Sequence, residues 1–163
     1  MNLSHVVKFI LPCVAVVTLG LIPTSAFATT ATATMNVSAA VQANCTVTAS
    51  GLSFGNYSGV ADTTSATLSV NCTSTTTYSV TLSNTNGTSY LAGTNTPANH
   101  VLYNTYSDSG YSNAWDSVNT YAGATSQAGS GSAQTYTVYG KIAAGALPAP
   151  DTYTGTVTVT VTY

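Results

Sequence analysis

Residues 151–163 read DTYTGTVTVTVTY. The odd positions hold Tyr153, Gly155, Val157, Val159, Val161 and Tyr163, while every even position from 152 to 162 is threonine. Alternation at period two marks a strand with one buried face, so the stretch predicts a single strand over 152–163. Val157, Val159, Val161 and Tyr163 would point into a core or groove, and the threonines outward. Such a strand needs a neighbour on each side or a protected edge.

A second stretch, TATATMNVSAAV at 30–41, carries the same alternation near the other end of the chain. Its odd positions hold Ala31, Ala33, Met35, Val37, Ala39 and Val41, and its even positions start Thr30, Thr32, Thr34, Asn36, Ser38. It has no hairpin partner in sequence. Two outcomes are open: it folds back as a first strand of its own sheet, or it leaves the domain and pairs with another copy.

Between these ends, period-two runs fall at 44–49, 65–72, 76–83, 99–106 and 134–143. Turn-rich stretches separate them: SNTNGTS at 83–89, SDSG at 107–110 and PAPD at 148–151. AGATSQAGSGSAQ at 122–134 reads as a loop, too short to link domains. No segment carries an apolar stripe at helical spacing. Seven short strands with turns between them predict an immunoglobulin-like sandwich, all-β and built as one domain.

The composition is dominated by Thr, Ser, Asn, Ala and Gly, and only 4% of residues are charged. A disordered stalk has such a composition too, but the alternation of β-branched threonine with Val, Ala or Tyr is strand chemistry. The first residues look like a secretory signal: Lys8, an apolar run over 9–22, then Ala26-Phe27-Ala28. The apolar run is too short to cross a bilayer core of about 30 Å comfortably. Cleavage is therefore expected after Ala28, removing Cys13.

Beyond residue 28 the only cation is Lys141, against Asp62, Asp108, Asp116 and Asp151. Nucleic-acid and anionic-membrane binding need clustered Lys and Arg, so neither is expected, nor is direct membrane insertion. Cys45 and Cys72 remain, and in an exported protein such a pair predicts a disulfide. Its loop would remove about 3–4 kcal/mol of unfolded-chain entropy.

Several of these stretches together resemble the spore coat protein U domain, the fold of archaic chaperone–usher pilus subunits. They are ANCTVTASGLSFGNY (43–57), LSVNCT (68–73), VLYNTYSD (101–108), Trp115 within NAWD, YTVYGKI (136–142) and the closing GTVTVTVTY (155–163). The turn after the tryptophan reads DSVNTY (116–121) in place of the usual glycine-rich one. The resemblance implies a sandwich that lacks its final strand and is completed by a donor strand from a neighbouring subunit. A periplasmic chaperone would lend a strand first, and at an outer-membrane usher the N-terminal extension of the next subunit would replace it. Strand addition of this kind takes affinity from the backbone and specificity from alternate side chains.

On that resemblance the chain divides into a signal peptide (1–28), a donor extension (29–41) and a pilin sandwich (42–163). Ala31, Ala33, Met35, Val37 and Ala39 are the expected donor pegs, and Val157, Val159, Val161 and Tyr163 the acceptor groove. The implied function is a structural pilin, exported through the periplasm to a surface fibre for attachment and biofilm formation. The rival roles are a single-domain tip or minor adhesin, and a secreted coat protein of the same fold.

Catalytic and metal readings have little to stand on. His100 with Asp108 and Asp116 defines no triad without spatial arrangement, no nucleophile elbow is present, and no dense carboxylate loop suggests calcium. No cofactor, metal or enzymatic activity is expected. Phe54 and Tyr57 read as packing residues, and Trp115 as either a partly exposed sandwich-end anchor or a subunit contact.

Overall fold

The computed structural model describes residues 27–84, 88–121, 126–145 and 147–163. The chain divides into two units, Met1–Ser38 and Ala39–Tyr163. In the first, residues 27–38 are described; all are exposed and none belongs to a helix or strand. The expected signal peptide lies almost wholly outside the described residues.

Among the described residues the second unit holds nine strands: β1 (Cys45–Ala49), β2 (Asp62–Cys72), β3 (Thr77–Leu82), β4 (Thr88–Gly93), β5 (His100–Tyr106), β6 (Gln127–Ala128), β7 (Ala133–Ile142), β8 (Tyr153–Thr154) and β9 (Val159–Thr162). One sheet runs β1-β2-β7-β5-β4-β8 and the other β6-β3-β9. Every strand pairing is antiparallel. This is the all-β, immunoglobulin-like arrangement that the alternation predicts.

Leu68 and Val70 of β2 and Tyr136 and Val138 of β7 meet Tyr78, Val80 and Leu82 of β3 in one buried cluster. The alternation of each strand decides this: Ser69 and Thr137 between those core residues are turned to the other face. A second cluster forms at Val101, Tyr103 and Ile142, with Phe54 and Tyr57 packed against it. Phe54 and Tyr57 are thus packing residues, as expected; the Phe54 ring lies 5.6 Å from that of Tyr103. Gly140 makes this approach possible, because a Cβ there would sit 2.7 Å from Leu52 Cδ2 and 2.8 Å from Phe54 Cζ.

Trp115 is fully buried in the first cluster, with its ring 5.0 Å from that of Tyr121. Its indole N–H donates to the Val80 carbonyl at 3.0 Å, which satisfies the one polar group a buried tryptophan carries. The structure therefore makes it a core anchor, fully buried rather than partly exposed as expected. Asn84 Nδ2 donates to Thr105 Oγ1 (2.6 Å), which donates in turn to the Trp115 carbonyl (2.7 Å), fixing the tryptophan backbone from below.

Four expectations need correction. The stretch 152–163 is two strands in two different sheets, β8 and β9, with the chain crossing between them over 155–158. The crossing is tight: a Cβ at Gly155 would lie 2.9 Å from the Tyr90 carbonyl. The turn expected at 83–89 gives way to β4 from Thr88 onward, and residues 85–87 lie outside the described set. The loop expected at 122–134 contains β6 and the start of β7, with 122–125 outside the described set. Finally, 30–41, counted among the seven strands, forms none within its own chain: no strand includes any residue of 27–44.

Candidate functional site

The Cys45–Cys72 disulfide is formed (S–S 2.05 Å) and joins directly paired residues of β1 and β2. It ties the outermost strand of the large sheet to its buried neighbour. In the same register Val47 faces Val70 and Ala49 faces Leu68. Directly paired residues share a face of the sheet, so Val47 and Ala49 point the same way as the core. Yet Val70 and Leu68 are 0% exposed while Val47 is 36% exposed and Ala49 is also exposed. Among the described residues, nothing covers their side of the core as Leu68 and Val70 are covered.

The other sheet repeats the feature at β9. Val159 and Val161 lie opposite Leu82 and Val80, each at most 2% exposed. Val157, Val159 and Val161 pack against the first core cluster but remain half-buried. Tyr163, expected to face inward with them, is instead 58% exposed, because the ladder ends at Thr162 and nothing holds the last residue down.

The free edge of β9 follows from its ladder. Leu82 N–H donates to the Asp116 carbonyl at 3.1 Å and the Val80 carbonyl accepts from Trp115, so the backbones of Val80 and Leu82 face away from β9. Antiparallel pairs alternate between hydrogen-bonded and non-hydrogen-bonded positions. Val159 and Val161, opposite those residues, therefore turn their own N–H and C=O groups outward. β9 is the last strand of its sheet. It presents apolar side chains to the core and unpaired backbone groups to its open side.

Two cavities lie along this opening. One of about 230 Å³ is bordered by Ala49, Leu52, Leu68, Leu82, Val157 and Val159, among others. The second, about 650 Å³, is bordered by Leu52, Phe54, Tyr57, Leu91, Leu147 and Tyr153, among others. Leu52 and Gly155 border both, so the two adjoin in one trough along the crossing segment, the smaller part apolar and the larger of mixed lining. The sequence names Val157, Val159 and Val161 for this site. It misses Val47, Ala49 and Leu52, whose small hydrophobic side chains carry no signal of an uncovered face.

The expected donor pegs are all exposed, Met35 at 85% and Val37 at 87%. His100 is also exposed and lies against Tyr90, with ring centroids 4.4 Å apart. Asp108 accepts from the backbone N–H groups of Gly110, Ser112 and Asn113. Asp116 is buried and accepts from the N–H groups of Val118 and Asn119. Both carboxylates serve turns. Among the described residues no group of three His, Cys, Asp or Glu is placed to hold a metal ion.

The family model of the Spore Coat Protein U domain matches residues 31–160. Among solved structures, the chain is similar to a chain of the CsuC–CsuE chaperone–tip adhesion subunit pre-assembly complex from archaic chaperone–usher Csu pili of Acinetobacter baumannii. The TM-score is 0.54 at 25% identity, over 76% of this chain and 40% of that one. This chain thus spans well under half of the structure it resembles. No curated protein matches it.

Proposed function

Because the chain belongs to the Spore Coat Protein U domain family, we propose that it is a structural pilin that polymerises by strand donation. The observation that carries this reading is the uncovered inner face between β1 and β9. Val47 and Ala49 on one side, and Val157, Val159 and Val161 on the other, are oriented as core residues without being covered. The occupant the trough fits is an extended segment with apolar side chains at every second residue. Residues 31–39 of another copy supply that pattern, free of any strand within their own chain.

Backbone pairing with the outward edge of β9 would supply affinity, and the alternate side chains would fill the trough. Each copy carries one acceptor and one donor, so the contact runs head to tail, and where the rotation between copies does not close a ring it generates a filament. Before assembly the open edge is an aggregation hazard, and a periplasmic chaperone that lends a strand removes it. An outer-membrane usher would then exchange that strand for the next subunit. On this reading the product is a surface fibre serving attachment and biofilm formation, without catalysis.

The test moves the donor. Residues 29–40 are deleted and a copy is appended after Tyr163 through a short flexible linker, so that intramolecular pairing occurs at high effective concentration. The permuted chain should be a soluble monomer with cooperative unfolding, while the plain deletion aggregates. Val37→Asp in the appended copy places a charge in an apolar site and should cost several kcal/mol; Thr34→Asp on the opposite face should be almost silent. A plain deletion that is already a stable monomer would refute strand donation.

A further inference from the structure

We infer that Met35 is the anchoring peg of the donated segment, seated in the 230 Å³ cavity opposite Val159 of the neighbouring copy, with Ala31 opposite Tyr163. This rests on the strand-donation reading above and specifies its register and direction.

Parity comes first. The residues of β9 that face inward are odd-numbered, as are the apolar positions of the donor. Directly opposed residues share a face, so only odd-to-odd pairings bury the pegs. The backbone agrees, because the outward-turned groups belong to Val159 and Val161. A donor residue opposite either one forms a hydrogen-bonded pair.

Size then selects among the odd registers. Val157 and Val159 border the 230 Å³ cavity, Gly155 borders both cavities, and Val161 and Tyr163 border neither. The bulky pegs therefore belong opposite 157 and 159, and the smallest opposite 161 and 163. Within 31–39 the bulky pegs are the adjacent odd residues Met35 and Val37; the other three are alanine. An antiparallel donor with Met35 opposite Val159 puts Ala33 opposite Val161 and Ala31 opposite Tyr163, and carries Val37 past Val157 with Ala39 beyond it toward the crossing segment. Val41 then lies at the end of the donor that leads toward the 650 Å³ cavity, which Gly155 borders.

The parallel threading also places Met35 and Val37 over the smaller cavity, but inverts the ends. Ala31 would lie at the wide cavity and Val41 at Tyr163, where neither cavity reaches. Antiparallel pairing is also the slightly more stable per residue. Met35 has the length to reach Leu52, Leu68 and Val138 on the cavity floor, and its unbranched thioether adapts to an irregular space.

The test uses fibres of the full chain sheared from producing cells and run without reductant. Chains carrying Ala31→Cys with Tyr163→Cys should give a ladder of covalent multimers that collapses on reduction, since opposed strand residues lie within disulfide reach. The pair Val41→Cys with Tyr163→Cys reports parallel threading and should give none. A ladder from the second pair alone overturns the proposal yet leaves strand donation standing. So do fibres with no ladder from either pair. Failure of strand donation itself is read separately, from a monomeric plain deletion. As a second measurement, Met35→Ala fibres should release subunits in denaturant about tenfold faster or more, and Met35→Leu fibres at close to the parent rate. Equal release by Met35→Ala and the parent would remove Met35 as the anchor.

Discussion

The two sides of β3 are closed in opposite ways. On one, β6 pairs with Thr77 and Tyr78, and beyond it the 115–117 segment takes over. The Trp115 indole donates to Val80, Asp116 accepts from Leu82, and Ser117 N–H donates to the Asn84 carbonyl at 2.9 Å. Trp115 is thereby fully buried. On the other side β3 pairs with β9, and there the sheet ends with half-buried valines and outward backbone groups. One edge is satisfied by the chain's own loop. The other has the same chemistry and no strand beyond it among the described residues, and on the strand-donation reading it is where a second chain adds.

The largest effect expected from breaking this contrast is at the sealed edge. Trp115→Ala removes the aromatic body and leaves the Val80 carbonyl without its donor. A loss of about 3–5 kcal/mol is expected, measured by denaturant unfolding of the permuted monomer. A loss below about 1 kcal/mol would mean that the seal contributes little beyond shape.

The next effect is at the wall of the open edge. Replacing Cys45 and Cys72 together by serine releases β1 from β2 where the edge is uncovered on its inner face. The expected cost is about 2–4 kcal/mol, with amide exchange accelerating in 45–49 more than in β7. Uniform acceleration across both strands would show that the disulfide supports the whole fold rather than that wall.

The smallest effect concerns the exposed turn that leads into the sealed edge. The Asn113 backbone N–H, aided by those of Ser112 and Gly110, holds the Asp108 carboxyl below its ordinary value of 3.8. A depressed folded value means that its stabilisation is complete above the unfolded value and is lost as pH falls through the folded one. Amide protection in 110–113 should therefore hold at neutral pH and decline only at pH values below about 3.8. Asp108→Asn should lower it at neutral pH while leaving global unfolding almost unchanged. A midpoint of decline above that value would contradict the assigned hydrogen bonds.

Legibility in the sequence followed how each segment buries itself. The runs at 65–72, 76–83, 99–106 and 134–143 became β2, β3, β5 and β7 because each has one face in the core and a more exposed one opposite, and 44–49 became β1 although only Cys45 of it packs against the core. β4 escaped notice because Tyr90-Leu91-Ala92 is apolar on both faces: Leu91 packs inward while Tyr90 stands on the outside beside His100. β6 is two residues long, below the length at which any period can be read. Trp115 gave no hint of its place, since its partners Val80, Tyr121 and Tyr136 come from three separate stretches.

By itself the sequence determined the strand class, the inward and outward faces of the main strands, the paired cysteines and the presence of an unpartnered amphipathic segment at 30–41. All of these are local, set by side-chain period, turn residues and the scarcity of charge. Only the tertiary structure decided that 152–163 breaks at Gly155 and crosses between sheets, that Val47 and Ala49 are left uncovered among the described residues, and that β9 keeps a free backbone edge. Alternation says which way a side chain points. Whether anything lies over it depends on which strands become neighbours, and that is fixed by contacts between residues far apart in the chain.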